Sequence, residues 1–175
     1  MFALHALRVQ QPVAWRSSNL AMYEDAMDKM KYGHDPRNGL SAEAYSPAPE
    51  WSSPVGAVAE LVNINQLQAA LEAAEAKKQL VALKFVRKGC KACAATAEDY
   101  EQTAQEFADA GQFYVVDFDE GKEFVRKCQI RAVPCGHIYA GGKLEKAMSV
   151  GPKVWDEFRA EADALRNRLA TEGSA

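Results

Sequence analysis

The sequence contains no apolar stretch that approaches the roughly 20 residues a membrane-spanning helix requires. It also lacks a surplus of basic residues: the net charge at pH 7 is −3, which gives no indication of nucleic-acid binding. A glycine-rich nucleotide-binding motif is absent as well. We therefore expect no membrane, no nucleic acid and no resident cofactor among the binding partners of this chain.

Cysteine is scarce too. Four cysteines in 175 residues are too few for a secreted scaffold held together by disulfides. Cys90 and Cys93 form a C-x-x-C motif, whereas Cys128 and Cys135 are separated by six residues. A C-x-x-C motif beside alternating strands and helices is typical of redox-active cysteines. The same motif is also half of a zinc site, and four thiolates converging with His137 would complete one.

Acidic residues are absent from the first 23 positions, which contain Arg8 and Arg16 and two serines. Arginine and serine without acids are typical of organelle transit peptides, so residues 1–23 are predicted to be one. A frayed cytosolic N-terminus is the alternative. Residues 24–56 are dense in turn formers and contain four prolines. They are predicted to be a linker or a loosely ordered extension, with a short helix over Leu20–Lys31.

Beyond this stretch, short apolar segments alternate with segments of helical periodicity. Leu80–Val86 is apolar at nearly every position, which is typical of a strand covered on both faces. Asn63, followed by Gln66, predicts a capping box at the start of the first helix. The order βαβαβαββα predicts an α/β domain over residues 57–170, with its sheet covered on both faces, and a tail at 171–175.

Glycine and proline predict two helix boundaries. The helix after the C-x-x-C motif is predicted to reach Ala110 and to end at Gly111, because glycine is favoured just past a helix C-terminus. The last helix is predicted to open at Gly151-Pro152, with proline in its first position. The inward face of the earlier helix is predicted to consist of residues at helical spacing: Cys93, Ala97, Tyr100, Ala104 and Phe107.

Cys90 is predicted to lie where the apolar strand leads into a helix. Unpaired N–H groups and the positive end of the helix dipole stabilise a thiolate there. Arg87, Lys88 and Lys91 add positive charge. Such settings lower a thiol pKa from ~8.5 to ~3.5–7.5. We therefore predict that Cys90 attacks a substrate disulfide and that Cys93, one turn deeper, resolves the mixed disulfide.

Several local patterns resemble the thioredoxin family: the strand Val81–Val86, the Cys90–Cys93 motif opening a helix, Val133-Pro134 before a strand, and Gly151 before the last helix. The resemblance covers about residues 57–168. It implies the thioredoxin fold, a central mixed sheet of about five strands flanked by four helices. It further implies a cis peptide bond between Val133 and Pro134, beside the cysteine pair, where the backbone receives the substrate chain.

The function that this resemblance implies is that of a protein dithiol–disulfide oxidoreductase, a monomer that regulates partner proteins through their disulfides. Its substrates would be protein disulfides, and an upstream thiol reductase would recycle it. Because no nucleotide-binding motif is present, electrons from NADPH or ferredoxin would have to arrive through another protein.

The chain also departs from the family pattern Trp-Cys-Gly-Pro-Cys-Lys. Without the Trp, partner docking should differ, and Lys91 in place of Gly should make the disulfide more oxidising. Lys84 replaces a buried Asp of the family. It is expected either to act on Cys93, as a proton relay or by holding its thiolate, or to extend its stem to water without a catalytic role. These departures resemble atypical plastid thioredoxins, so the plastid stroma is the expected location, with the mitochondrion and the cytoplasm as alternatives.

The remaining cysteines leave alternatives open. Cys128 is expected to be a buried, inert thiol, although some animal thioredoxins carry a regulatory cysteine at the matching place. Cys135 is expected to pack within its strand or to serve as a third thiol near the pair, and His137 is expected to be structural. Two alternatives to the oxidoreductase function stay open for the protein. One is a redox-inactive scaffold or assembly factor, and the other is a metal or cluster carrier that uses Cys90, Cys93 and Cys135.

Overall fold

The computed structural model describes residues 31–41, 44 and 55–172. The predicted transit peptide and nearly all of the predicted helix Leu20–Lys31 lie outside the described residues. From residue 55 onward the chain forms strands and helices in the order β1 (Val58–Glu60), α1 (Ile64–Ala76), β2 (Leu80–Val86), α2 (Lys91–Ala95), α3 (Ala97–Glu106), β3 (Gly111–Asp117), α4 (Lys122–Lys127), β4 (Cys135–Ala140), β5 (Lys143–Ser149) and α5 (Trp155–Glu172). This is the predicted βαβαβαββα order, with the second predicted helix divided at Thr96.

The five strands form one mixed sheet in the order β1-β3-β2-β4-β5. Strands β1, β3 and β2 run parallel, whereas β4 is antiparallel to β2 and β5 is antiparallel to β4. Helical crossovers connect the parallel strands, so their carboxyl ends lie at one edge of the sheet. The Cys90–Cys93 motif follows β2 directly and therefore lies at this edge.

A hydrophobic core covers each face of the sheet. The first core contains buried residues of α1 and α4 packed on one face, and the second core contains buried residues of α3 and α5 packed on the other. All of Leu80–Phe85 is buried, as the apolar pattern predicts. Successive side chains of a strand point to opposite faces. Thus Phe85 belongs to the first core, whereas Ala82 belongs to the second.

The start of α1 is confirmed, and two other helix boundaries are corrected. Asn63 caps α1 by accepting a hydrogen bond from the Gln66 N–H at 2.9 Å. Helix α3 ends at Glu106, so the predicted extension to Ala110 is wrong. Gly111 begins β3 instead, where a Cβ would lie only 2.9 Å from a methyl carbon of Leu80. This glycine allows close packing between strands and does not provide a cap.

The last helix begins at Trp155, and not at Gly151-Pro152 as predicted. The Val154 N–H donates to the Gly151 carbonyl at 3.1 Å, which closes a turn before the helix. Val154 then accepts the first helical hydrogen bond, from the Phe158 N–H at 3.2 Å. Pro152 therefore lies in the turn that precedes α5. None of the described helices is both long and apolar enough to cross a membrane.

Residues 31–41, which we call the N-terminal arm, pack against the domain although they fall within the stretch predicted to be a linker. Tyr32 packs on the first core, and the His34 N–H donates to the Cys128 carbonyl at 2.9 Å. The Arg37 guanidinium pairs with Asp35 at 2.6 Å and donates to the Gly142 carbonyl at 2.6 Å. The arm is thus held by contacts far along the chain.

Candidate redox site

The loop after β2 places Cys90 at the start of a helix. Gly89 adopts a φ of +79°, which favours glycine and turns the chain between strand and helix. Cys90 is the N-terminal cap of α2, and its Sγ accepts a hydrogen bond from the Cys93 N–H at 3.1 Å. The predicted position of Cys90 at a helix start is confirmed.

Cys90 and Cys93 are joined by a disulfide, with their Cα atoms 5.2 Å apart. Cys90 is half-buried, whereas Cys93 is only 6% exposed. An incoming thiol or disulfide therefore has more direct access to Cys90 than to Cys93. Of the predicted inward residues, Cys93, Tyr100, Ala104 and Phe107 are buried. Ala97 is exposed, and Thr96 is buried in its place.

The positive charges near Cys90 differ in their surroundings. The Arg87 guanidinium lies 4.1 Å from the centre of the Phe118 ring and 3.6 Å from the Asp119 carboxylate, which partly balances its charge. Lys88 and Lys91 are exposed. Within the described part of the chain, no carboxylate lies at ion-pair distance from either lysine. Their charge is available to an anionic sulfur, subject to screening by solvent.

A groove of about 440 Å³ runs beside the cysteine pair. Its wall is mostly apolar, with charged side chains among the lining residues: Val58, Lys84, Val86, Arg87, Gly89, Cys90, Lys91, Cys93, Ala94, Ala97, Tyr100, Glu101 and Val115. Lys84 is thus brought together with both cysteines in one cavity.

Lys84 is buried, with only 1% of its surface exposed. Its Nζ donates to the Thr96 carbonyl at 2.7 Å and to the Cys93 carbonyl at 3.3 Å. Burial lowers the pKa of Lys84 to about 8, although the nearby carboxylates of Asp99 and Glu101 oppose this shift. The alternative in which the side chain extends to bulk water is therefore wrong. Sequence reasoning missed the Thr96 carbonyl and Glu101, because no glycine or proline marks the division between α2 and α3.

The Val133–Pro134 peptide bond is cis, as the family resemblance implies. Cys135 pairs with Phe85 in the sheet, so Pro134 lies beyond the end of this pairing, close to where the cysteine loop leaves β2. The Pro134 carbonyl accepts a hydrogen bond from the Val150 N–H at 3.3 Å. Neither Val133 nor Pro134 lines the groove beside the cysteine pair.

Cys128 and Cys135 lie in the first core and are 0% exposed. Burial raises the pKa of both thiols. They pack on the face of the sheet that α1 and α4 cover, whereas Lys84, whose side chain points to the opposite face, contacts the Cys93 carbonyl. Across residues 31–41, 44 and 55–172, no group of three or more His, Cys, Asp or Glu side chains is arranged to hold a metal ion.

His137 is also buried among the first-core residues. Its Nε2 lies 2.7 Å from the Tyr32 carbonyl oxygen, and its Nδ1 lies 3.3 Å from the Tyr139 hydroxyl. Both ring nitrogens are satisfied if Nε2 donates and Nδ1 accepts. This arrangement agrees with the structural role predicted for His137.

Comparison with known proteins identifies the family. The thioredoxin family model matches residues 60–164. A comparison with curated protein sequences found no match.

Solved thioredoxins share the fold. The short form of thioredoxin f from spinach chloroplast is 25% identical, with 66% of this chain and 99% of that chain covered and a TM-score of 0.55. A thioredoxin h from poplar is 22% identical, with 61% and 96% covered and a TM-score of 0.52. Thioredoxin f2, solved in a complex with ferredoxin:thioredoxin reductase, is 23% identical, with 63% and 96% covered and a TM-score of 0.51.

In this chain the bonded cysteine pair directly follows β2. The fold and the pair together support thiol–disulfide oxidoreductase chemistry in general. Because the family model covers more than half of the sequence and the structure reproduces the fold and the bonded cysteines, the chain belongs to the thioredoxin family.

Proposed function

We propose that the protein is a protein dithiol–disulfide oxidoreductase in which Cys90 attacks a partner disulfide and Cys93 resolves the mixed disulfide. The asymmetry of the pair carries this proposal. Cys90 is half-buried and receives the Cys93 N–H, whereas Cys93 is buried behind it. The sulfur that meets the partner must be accessible, and the sulfur that completes the reaction needs to reach only Cys90.

The reaction transfers two electrons from the reduced pair to the partner. The Cys90 thiolate attacks one sulfur of the partner disulfide, that S–S bond breaks, and the second partner sulfur leaves as a thiolate and takes a proton. The Cys93 thiolate then attacks Cys90 Sγ. The bond between Cys90 and the partner breaks, and the first partner sulfur also leaves as a thiolate. The partner becomes a dithiol, and Cys90 and Cys93 become a disulfide.

Backbone and side-chain charge favour the Cys90 thiolate in this proposal. The Cys93 N–H donates to Cys90 Sγ, and the positive charges of Lys88 and Lys91 lie nearby in the chain. A group that stabilises the thiolate stabilises the reduced state. We therefore infer that the couple is more oxidising than thioredoxin at about −270 mV, which thiol trapping across a glutathione series measures.

Partner binding and the recycling of the cysteine pair are proposed by analogy with the thioredoxin family. We propose that the backbone at Val133 and Pro134 receives the partner chain and that an upstream thiol reductase recycles the pair. The complex of thioredoxin f2 with ferredoxin:thioredoxin reductase supports a reductase of this kind. The likeness to a spinach chloroplast thioredoxin and the acid-free N-terminus support a plastid location. Redox regulation of partner proteins and a monomeric state belong to the same proposal.

Single cysteine variants test this assignment. With dithiothreitol as reductant and a disulfide-containing protein as substrate, Cys90→Ser should abolish turnover because no attacking thiolate remains. Cys93→Ser should accumulate a covalent mixed disulfide, visible by non-reducing electrophoresis, because the second step is blocked. Cys128→Ala removes a thiol outside the pair and should retain turnover. Turnover that survives in Cys90→Ser would refute the proposal, and phenotypic rescue by a double serine variant would favour a scaffold role.

A further inference from the structure

Lys84 places a buried ammonium group against the segment that carries Cys93. Its Nζ donates to the carbonyl of Cys93 itself and to the carbonyl of Thr96, the residue at which α2 and α3 are divided. The Thr96 carbonyl also accepts the Tyr100 N–H at 3.2 Å. The lysine therefore links β2 to the helical segment through two backbone carbonyls.

The charge of Lys84 is met by two backbone carbonyls and, at longer range, by two carboxylates. Its Nζ lies 5.3 Å from the centre of the Tyr100 ring, and the Tyr100 hydroxyl shares its proton between the carbonyls of Ala82 and Tyr114, each at 3.0 Å. Asp99 and Glu101 favour the charged form from α3. No carboxylate of the described residues lies within ion-pair distance of Nζ. A cation held in this way retains much of its capacity to stabilise a nearby anion.

Cys93 is the group beside Lys84 that becomes anionic during the proposed reaction. Both residues line the same groove, together with Cys90 and the charged side chains of Arg87, Lys91 and Glu101. Because Cys93 is buried, its thiol would resist ionisation without a compensating positive charge. Burial lowers the pKa of Lys84 only to about 8, so the ammonium form predominates at neutral pH.

We propose that Lys84 is a positioning residue for Cys93: its ammonium group anchors the backbone of Cys93 and stabilises the Cys93 thiolate that resolves the mixed disulfide. This inference rests on the proposed function. The Cys93 thiol releases its proton to solvent through the groove, and its thiolate attacks Cys90 Sγ. The bond from Cys90 to the partner breaks, and the electron pair leaves with the partner sulfur. Lys84 keeps its own proton throughout.

The two steps can be followed separately with dithiobis(nitrobenzoate) as the partner disulfide. The reduced, full-length protein should release one thionitrobenzoate when Cys90 attacks and a second when Cys93 resolves the mixed disulfide. The Cys93→Ser variant should show the first release alone, which assigns the phases. The buried thiols of Cys128 and Cys135 should not contribute to these fast phases, because both are 0% exposed.

Two substitutions separate charge from hydrogen bonding. Lys84→Met removes both, whereas Lys84→Gln keeps an N–H donor without the charge. At pH 7 both should slow the second release by about tenfold, which corresponds to one pKa unit of the Cys93 thiol. The first release should be unchanged, and the wild type and variants should converge at alkaline pH, where Cys93 is fully ionised. Lys77→Met, at an exposed lysine outside the groove, is the matched control.

Two outcomes would overturn the inference. If Lys84→Gln resolves the mixed disulfide as fast as the wild type at pH 7, the charge has no role. If the difference persists at alkaline pH, the effect is not on the ionisation of Cys93. A failure of the first release in the wild-type protein would instead refute the proposed function, so the two failures are distinguishable.

Discussion

At the scale of single residues, the strand Leu80–Val86 places the buried Lys84 in the groove that Cys90 and Cys93 also line. Cys90 and Cys93 are evident from their spacing and from the apolar strand before them. The burial of Lys84 follows from its place in that strand, because every neighbour from Leu80 to Phe85 is buried. The two carbonyls it contacts belong to residues 9 and 12 positions further along. Such contacts depend on how the helix crosses the sheet, which no local pattern specifies.

The burial of His137 predicts how the stability of the folded protein depends on pH. Burial lowers the pKa of His137 to about 4 from an ordinary value of 6.5. On acidification the unfolded chain therefore binds a proton before the folded protein does, so stability falls as the pH drops from 6.5 to 4. The loss attributable to this residue should be at most about 3 kcal/mol. Urea unfolding between pH 7 and pH 4 measures it.

His137→Gln is the matched variant, because an amide can donate to Tyr32 and accept from Tyr139 without titrating. Its stability should depend less on pH over this range than that of the wild type. An identical pH dependence in both proteins would mean that other groups dominate acid unfolding.

At the scale of elements, helix boundaries were predicted correctly where the marking residue has a single structural role, and wrongly where it has several. The pairing of Asn63 with Gln66 correctly located the start of α1, since both side chains act within the same turn. The helix end predicted at Gly111 was wrong because glycine is also favoured where strands approach closely, and that approach involves Leu80, far away in sequence. Pro152 misled for a related reason, since proline is favoured in turns as well as at helix starts.

The N-terminal arm supplies the prediction at this scale. Gly33 has a φ of +87°, and a Cβ there would overlap the Cys128 carbonyl oxygen that receives the His34 N–H. Gly33→Ala should therefore detach this part of the arm and reduce the stability of its docking by about 2 kcal/mol or more. Hydrogen exchange of the His34 amide reports the loss directly.

Gly39→Ala is the control, because Gly39 has a similar φ of +81° but a Cβ added there would meet nothing within 4 Å. It should show backbone strain without the clash, and His34 should stay protected. Equal loss of protection in the two variants would show that the contact with Cys128 does not hold the arm.

At the scale of the whole molecule, Cys128 and Cys135 are buried in the first core, apart from the groove that Cys90 and Cys93 line. Cys128 and Cys135 pack with α1 and α4 on one face of the sheet, whereas Lys84, which contacts the Cys93 carbonyl, points to the opposite face. The βαβ pattern predicted the sheet and its two covered faces. It did not determine which face receives Cys135, because that depends on the register of β4 against β2.

This separation predicts the number of reactive thiols. After mild reduction, the folded protein should react with a thiol reagent at two cysteines within the fast phase, and the protein in denaturant should react at all four. The reason is that burial raises the pKa of Cys128 and Cys135 and removes them from solvent. Peptide mass spectrometry after alkylation identifies the sites. Rapid labelling of Cys135 in the folded state would contradict this arrangement.

The arm also has a consequence for how the chain is made. The Tyr32 carbonyl is hydrogen-bonded to His137, and the Arg37 guanidinium donates to the carbonyl of Gly142, each across 105 positions of sequence. The arm leaves the ribosome long before the residues that it contacts, His137 and Gly142, have been synthesised. Of the described residues, the arm is therefore the first segment to be translated and among the last that can find its place, so its docking marks the completion of β4 and of the turn that follows.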